Sequence, residues 1–156
     1  MKEKHAILII AFSLTFSACG NNYMDPLKIN IDDYTPAVNE IKSKRKLRDS
    51  LFEADNPNIQ FRVINLRNFN DNKALINIFP ECYKLLKAYK ATEIDCYYDS
   101  CMNVILKEYE SAFVPRNIYE CLKIQSGDVC DSNKNVVKEH KLKNGWKYQL
   151  IDQYGE

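Results

Sequence analysis

The feature that most constrains this chain is a short, largely apolar run near its start, which ends at a cysteine. Lys2 and Lys4 give the first residues positive charge, and residues 6–16 form the apolar run. Eleven helical residues rise about 16–17 Å, roughly half of the ~30 Å hydrocarbon core of a membrane. A permanent spanning helix is therefore not expected. The pattern predicts an export signal over residues 1–18, removed before Cys19.

The end of this run, Phe16-Ser17-Ala18-Cys19, resembles the lipobox of bacterial lipoproteins, with Phe16 where that family usually has leucine. The resemblance implies that Cys19 is lipidated, becomes the first mature residue and binds the protein to a membrane. In that family a non-acidic next residue, here Gly20, implies the outer membrane, facing the periplasm, in Gram-negative bacteria. Two or three acyl chains hold a protein firmly, because each buried methylene contributes about 0.8 kcal/mol. The alternative is an ordinary signal cut after Ala18, which leaves Cys19 a free thiol.

The charge balance and the glycine count exclude several classes of protein. The predicted signal contains two of the 22 basic and one of the 21 acidic residues, which leaves 20 of each in the mature chain. A near-zero net charge argues against nucleic-acid binding and against electrostatic attraction to lipid, so the anchor must supply the membrane affinity. Only three glycines follow Gly20, too few for a phosphate-binding loop. We therefore predict no cofactor.

The mature chain divides into a lipidated tether and one domain. Residues 19–34 are polar and predict a tether with a short strand at 27–31. Residues 35–156 are long enough for a single domain with its own core. Thr35 and Pro36 predict the start of a helix that continues to about residue 54. Its basic run, Lys42–Lys46, is interpreted as a solvated helix face.

The rest of the domain changes from helical to strand-like patterns along the chain. One apolar stripe at helical spacing, divided by Pro80, comprises Leu75, Phe79, Cys82, Leu86 and Tyr89. A third helix is predicted after Asp99-Ser100, with its apolar face formed by Met102, Ile105, Leu106, Tyr109 and Phe113. Strands are predicted at residues 59–66, 118–124, 136–142 and 146–151. This order predicts an α+β fold, with N-terminal helices packed on a small C-terminal antiparallel sheet.

The register of the last two predicted strands follows from the length of the loop that joins them. A two-residue Asn144-Gly145 loop would set charged residues opposite Trp146, Tyr148 and Leu150. A three-residue loop, residues 143–145, pairs Leu142 with Trp146 and His140 with Tyr148, and it puts Gly145 where a left-handed residue is needed. We therefore predict the three-residue loop. The predicted inward face comprises Val136, Lys138, His140, Leu142, Trp146, Tyr148 and Leu150.

This closing hairpin, in which Asn144-Gly145 is followed by Trp146-Lys147-Tyr148, resembles that of NTF2-like domains. The resemblance covers some fifteen residues. It implies a curved sheet with a cone-shaped pocket lined by the inward sheet face. The residues implied for such a small-ligand pocket are His140, Trp146 and Tyr148.

Five cysteines remain once Cys19 is assigned to the anchor, and disulfides are expected outside the cytoplasm. Cys121 and Cys130 flank a turn signal, Ser126-Gly127-Asp128, so a hairpin would bring them face to face. Cys96 and Cys101 can bond only if the chain turns between them, because five residues of continuous helix separate them by about 7.5 Å. We predict Cys121–Cys130 and Cys96–Cys101. The rival pairing joins Cys82 to Cys96 or Cys101.

The sequence gives little support for a metal site or for a cysteine nucleophile. The cysteines lack the paired close spacing of zinc sites, and His140 is the one histidine of the mature chain, so no metal site is predicted. Cys101, in the first turn of a predicted helix, and His140 as base would make a thiol nucleophile, but nothing in the sequence places them together. We therefore predict no enzymatic activity, with a thiol-dependent enzyme as a remote alternative.

The function expected from location, size and these exclusions is non-enzymatic. We predict a lipid-anchored envelope protein that binds another envelope protein, as an accessory subunit or as an immunity-like inhibitor. Ten tyrosines in 156 residues are consistent with an interaction surface, although ordinary half-buried positions would also explain them. An NTF2-like domain that binds a small ligand is the alternative.

Overall fold

The computed structural model describes residues 23–52, 61–97, 101–110, 116–125 and 135–154. In these ranges, helices predominate up to residue 87, and five of the six strands of one antiparallel sheet follow them, while the first strand lies among the helices. The predicted α+β class is confirmed. The predicted signal peptide, Cys19 and Cys130 lie outside the described residues.

Residues 23–34, predicted as part of a tether, contain no strand, so the strand predicted at residues 27–31 is wrong. Pro26–Lys28 and Ile31–Asp33 form short 3-10 helices, whose first turns are capped by Asp25 and Asn30. These side chains accept backbone N–H bonds and so favour tight turns over a strand. Ile31 and Tyr34 are buried in the hydrophobic core. The folded domain therefore begins well before residue 35.

The predicted long first helix is two helices, α1 (Thr35–Ser43) and α2 (Arg45–Leu51). Lys44 leaves helical geometry between them, with φ −106° and ψ 28°. Its ammonium donates to the Glu40 carboxylate at 3.0 Å and to the carbonyl of Ile78. The run Lys42–Lys46 thus spans a break between two helices, and Lys44 in it is partly buried.

Strand β1 (Phe61–Asn65) is followed by three short helices, α3 (Leu66–Asp71), α4 (Ala74–Ile78) and α5 (Pro80–Lys87). Pro80 begins α5, so the predicted division at this residue is confirmed. Phe79 offers no capping side chain, and the carboxylate of Glu40 accepts the N–H groups of Glu81 and Cys82 instead. A helix start needs such acceptors, which explains why Glu40 is buried rather than solvated.

The apolar stripe predicted for this region is largely confirmed. Leu75, Phe79, Cys82 and Leu86 are all buried in the core. Tyr89 does not join them: α5 ends at Lys87, and Tyr89 has φ 55° and a mostly exposed side chain. The chain reverses at Tyr89 in order to enter the next strand.

The sheet has the order β1-β2-β3-β4-β6-β5, and its remaining strands are β2 (Glu93–Tyr97), β3 (Cys101–Glu110), β4 (Arg116–Gln125), β5 (Val136–Lys141) and β6 (Trp146–Tyr154). Every neighbouring pair is antiparallel. Core residues of the helices and of alternate strand positions form one hydrophobic cluster. The side of the sheet that carries those alternate positions is called the inner face below, and the other side the outer face.

The predicted third helix is wrong, because residues 101–110 form the central strand β3. Met102, Val104 and Leu106 are buried on the inner face, and Cys101, Asn103 and Ile105 are buried on the outer face. A strand buried on both faces is apolar almost throughout, and such a run also contains helical spacings. Pairing with β2 and β4 decides between the two structures. Phe113, predicted on the same helix, lies outside the described residues.

The predicted register of the closing hairpin is confirmed. His140 pairs with Tyr148, and the N–H of Leu142 donates to the carbonyl of Trp146 at 2.8 Å. Residues 143–145 form the loop, with positive φ at Asn144 (57°) and Gly145 (77°). Only glycine adopts such φ values freely, which explains its position here.

Candidate functional site

The free thiols of the described residues are all buried. Cys82, Cys96 and Cys121 are free cysteines. Desolvation by burial raises the pKa of Cys82, with the neighbouring Glu40 carboxylate raising it further. Burial likewise raises the pKa of Cys96 and of Cys121 to about 12, although Arg48 and Lys123 respectively oppose the shift. A thiol nucleophile must be ionised and accessible, so these three thiols are not suited to that role near neutral pH.

Both predicted disulfides are wrong. Cys96 is free and pairs across the hairpin with Met102, whereas Cys101 pairs with Tyr97. Successive residues of a strand point to opposite faces, so Cys96 lies on the inner face and Cys101 on the outer face. Cys121 is free as well, which rules out a bond to Cys130.

Cys101 is nevertheless disulfide-bonded. Cys82 and Cys96 are free, so the rival pairings are also wrong. A bonded Cys101 has no thiol to ionise. It also lies on strand β3 rather than at a helix start, and β4 and β6 separate it from His140 on β5.

Two of the three predicted pocket residues are packed into the core. Trp146 and Tyr148 are 2% and 1% exposed and belong to the hydrophobic cluster, while His140 is half-buried on the neighbouring strand. Leu150 is buried beside them, and Lys138, predicted to point inward, is exposed next to a bulge in β5. The inner face at these residues is therefore filled by side chains.

The inner face also contains a buried carboxylate, that of Glu120 on β4, which is 1% exposed. Its carboxylate accepts hydrogen bonds from the hydroxyl of Tyr148 at 2.8 Å and from the hydroxyl of Tyr109 at 3.1 Å. It also accepts the backbone N–H of Met24. A buried carboxylate is tolerated only when donors surround it, and here three neutral donors do so.

The tyrosines at Glu120 are held in their neutral form. Desolvation, with the negative charge of Glu120 and the hydrogen bond to it, raises the pKa of Tyr109 to about 12. Desolvation and the separate hydrogen bond from Tyr148 to Glu120 also raise the pKa of Tyr148. Both phenols therefore remain protonated donors to Glu120 at every physiological pH.

The contacts at Glu120 fix the start of the folded chain. The ring of Tyr23 meets that of Tyr109 edge-on, with centroids 5.4 Å apart, one residue before Met24. Lys107 lies with its ammonium 4.5 Å from the centroid of Tyr109. We call this region, Tyr23, Met24, Lys107, Tyr109 and Glu120, the anchor end, because the chain arrives here from Cys19.

Helix α2 presents an unusual surface at a distance from the anchor end. Its one buried side chain is Arg48, which is 4% exposed, hydrogen-bonds to Asp49 at 2.8 Å and lies against Cys96. Leu47 and Leu51 are 42% and 37% exposed. They are four residues apart and so share one side of the helix. A charge faces the core, while two leucines face outward.

Basic side chains border these leucines. Lys42, Arg45 and Lys46 are exposed, and Asp49 forms a 3.8 Å ion pair with Arg45. Arg48 of α2 lies against Cys96, and the strand pairing continues from Cys96 through Met102 to Ile124 on β4. Ile124 is four residues from Glu120 along the same strand. At ~3.3 Å per residue this is about 13 Å along the strand. The leucines of α2 with their basic border, called the α2 surface below, are thus displaced from the anchor end.

The outer face carries a buried polar row that sequence reasoning did not find. Asp95, Asn103 and Lys123 are adjacent on β2, β3 and β4, and all three are buried. Among the described residues Asn103 Oδ1 has no hydrogen-bond partner, and neither has Oε1 of Gln149 on β6. In the sequence, polar residues alternate with apolar ones in β3 and β4, which is the pattern that could have revealed this row. Such a pattern normally indicates that the polar residues face solvent, so their burial was not expected.

The described ranges contain no group of three or more His, Cys, Asp or Glu side chains placed to hold a metal ion. Nor do they contain a helix of the length and apolarity that crossing a membrane requires.

The fold and the site together define a small α+β domain whose N-terminal segment is fastened to its sheet and whose α2 surface is exposed. No family model matches the chain, and no curated protein or solved structure matches it either. The function must therefore be inferred from this molecule alone.

Proposed function

We propose that this protein is a lipid-anchored envelope protein that binds a protein partner through the α2 surface and has no enzymatic activity of its own. The lipobox-like sequence at Cys19 supports the anchor. The buried thiols support a non-enzymatic role. An accessory or inhibitory role, of the immunity type, fits such a protein.

The observation that carries the binding proposal is the orientation of α2. A short helix normally turns its leucines inward, because burying each of them stabilises the fold by about 1.5–3 kcal/mol. Here Arg48 takes the inward position, and Leu47 and Leu51 remain exposed. Paired apolar residues within a polar border are typical of helices that dock into a partner's groove.

The charge around the leucines indicates the chemistry of the partner. Lys42 and Lys46 are exposed on either side of the helix break. A groove lined by apolar side chains and bordered by carboxylates would complement this surface, and opposite charges would speed the encounter. The partner is therefore expected to be a protein with an acidic-rimmed apolar groove, reachable from the membrane.

Site-specific photo-crosslinking in the native envelope tests this proposal. A photoreactive amino acid at Leu51 should give one discrete adduct with a partner, and Leu47→Asp in the same chain should abolish that adduct. The matched control places the photoreactive residue at Tyr89, which is 85% exposed just after the end of α5, and should give none. A protein that reaches the envelope but gives no adduct at Leu51, or an equal adduct at Tyr89, would contradict the proposal.

A further inference from the structure

The first residues that the structure describes expose an apolar patch. Tyr23, Met24 and Leu27 are 38%, 40% and 80% exposed. They account for three of the seven large exposed hydrophobic residues in the described chain and lie within five consecutive positions. Scattered exposed leucines need no explanation, whereas a cluster at one place in a small domain does.

The length of chain between Cys19 and this patch limits where the patch can lie. Three residues separate Cys19 from Tyr23. Four Cα steps span at most about 14 Å when fully extended. The headgroup layer on one side of a bilayer is roughly 5–8 Å thick, from the difference between the whole bilayer and its hydrocarbon core. An acylated Cys19 would therefore hold Tyr23 at or just above the headgroups.

The patch is also held in a fixed orientation. The N–H of Met24 is bound by the buried carboxylate of Glu120, and the ring of Tyr23 packs on Tyr109. The patch therefore moves with the sheet rather than with a flexible tether. A short tether on a rigid patch presents the same side chains to the membrane at all times.

The side chains present suit the boundary between headgroups and acyl chains. Tyrosine favours this boundary because its ring is apolar and its hydroxyl polar, and Met24 and Leu27 add apolar surface. Lys28 and Lys107 are exposed near the patch, and an ammonium there can reach lipid phosphates. Exposed carboxylates at Asp25, Asp32 and Glu108 accompany them, so the apolar side chains rather than the net charge carry the inference.

We propose that Tyr23, Met24 and Leu27 form a membrane-contact patch that seats the domain on the lipid surface, with the anchor end toward the bilayer. This inference rests on the proposed acylation of Cys19. It adds an orientation that acylation alone does not specify. The α2 surface is then kept away from the lipid and available to a protein.

Fluorescence quenching by brominated lipids tests the patch. The acylated mature protein carrying Leu27→Trp would be placed in vesicles whose phospholipids have brominated acyl chains, and in unbrominated vesicles of the same headgroups. The added tryptophan should lose most of its emission in the brominated vesicles. The matched control is Leu47→Trp on α2, which should show no such loss, and Trp146 is common to both variants and buried.

The outcomes separate the two proposals. If the acylated protein does not float with vesicles, the anchoring proposal fails. If it floats and Leu27→Trp is quenched no more than Leu47→Trp, the anchor stands and the contact patch is wrong. A flexible Gly-Ser insertion between Asn22 and Tyr23 should preserve flotation and reduce the quenching of Leu27→Trp, and unchanged quenching would contradict the role assigned to tether length.

Discussion

The anchor end and α2 each bury one charged side chain, and the two charges have different surroundings. Glu120 lies on a central strand and is surrounded by three neutral donors, one of them the backbone of the incoming chain. Arg48 lies on a short helix, is bonded to a partly exposed carboxylate and has leucines turned outward beside it. The hydrogen bonds at Glu120 attach the N-terminal segment to the sheet. The orientation of Arg48 leaves Leu47 and Leu51 exposed instead of buried in the core.

From this difference we expect the anchor end to contribute mainly to stability and the α2 surface mainly to the proposed recognition of a partner. A fully satisfied buried carboxylate constrains geometry, because each lost donor would leave a buried polar group unpaired. An arginine that takes a core position from leucine gives up burial energy that the fold would otherwise gain. The anchor end is therefore expected to respond to mutation through stability, and the α2 surface through binding.

The largest effect is expected at Glu120. Glu120→Ala removes the acceptor of Tyr148 and of Met24 and should lower the free energy of unfolding by about 3 kcal/mol, because hydrogen bonds to charged groups and the buried donors left unpaired are both lost. Urea denaturation measures the change, and amide hydrogen exchange at Met24 should become faster. A loss below about 0.5 kcal/mol, typical of a surface change, would contradict the fastening role.

A smaller loss is expected at the other buried charge. Arg48→Ala should lower the free energy of unfolding by about 2 kcal/mol, since it removes a charged hydrogen bond and buried aliphatic packing while Asp49 keeps Arg62 as a neighbour at 3.6 Å. The control is Arg45→Ala, where the side chain is half exposed and little change is expected. Equal losses for the two variants would show that Arg48 is not part of the core.

The loss of stability at high pH should begin at different pH values for the anchor end, which contains Tyr109, and for the region under α2, which contains Cys96. Tyr109 has a pKa raised from 10.0 to about 12 in the fold, so its contribution to stability is complete below pH 10 and is lost as pH rises through 12. Cys96 has a pKa raised from 9.0 to about 12, so its loss begins near pH 9. Unfolding free energies measured between pH 8 and 12 should fall less steeply for Tyr109→Phe above pH 10, and for Cys96→Ala from pH 9. Slopes equal to that of the wild type would contradict this assignment.

The smallest effect on stability is expected at the α2 surface. Leu47→Ala and Leu51→Ala should each lower the free energy of unfolding by no more than about 1 kcal/mol, because each side chain is only partly removed from water in the fold. Thermal or urea denaturation measures this, and the crosslink to the partner should weaken in the same variants. A loss as large as that of Arg48→Ala would show that the leucines serve the fold instead.

The features that were predicted correctly from the sequence are those that depend on residues close together in the chain. Gly145 and the pairing of Trp146 with Leu142 determined the hairpin register, and Pro80 determined a helix boundary, because each depends on a few neighbouring residues. The α+β class follows from the order of such patterns. These features carry their own backbone preferences and need no distant partner.

The rest depends on contacts between residues far apart in the chain. Strand β3 has spacings that fit a helix, and only its pairing with β2 and β4 makes it a strand. Glu120 meets Met24 across 96 positions, so nothing in the sequence places the anchor end. The orientation of α2 was equally hidden, because an arginine on a basic helix is expected to face solvent. The disulfide prediction failed for the same reason, since strand faces were not known.

The most direct test of membrane anchoring is the state of Cys19 in the mature protein. Mass spectrometry of the N-terminal peptide should show a chain that begins at Cys19 with acyl chains attached, and Cys19→Ala should move the protein from the membrane fraction to the soluble fraction or block its processing. A processed Cys19→Ala variant that still sediments with membranes, or an unmodified Cys19 in the wild type, would contradict the proposed anchor.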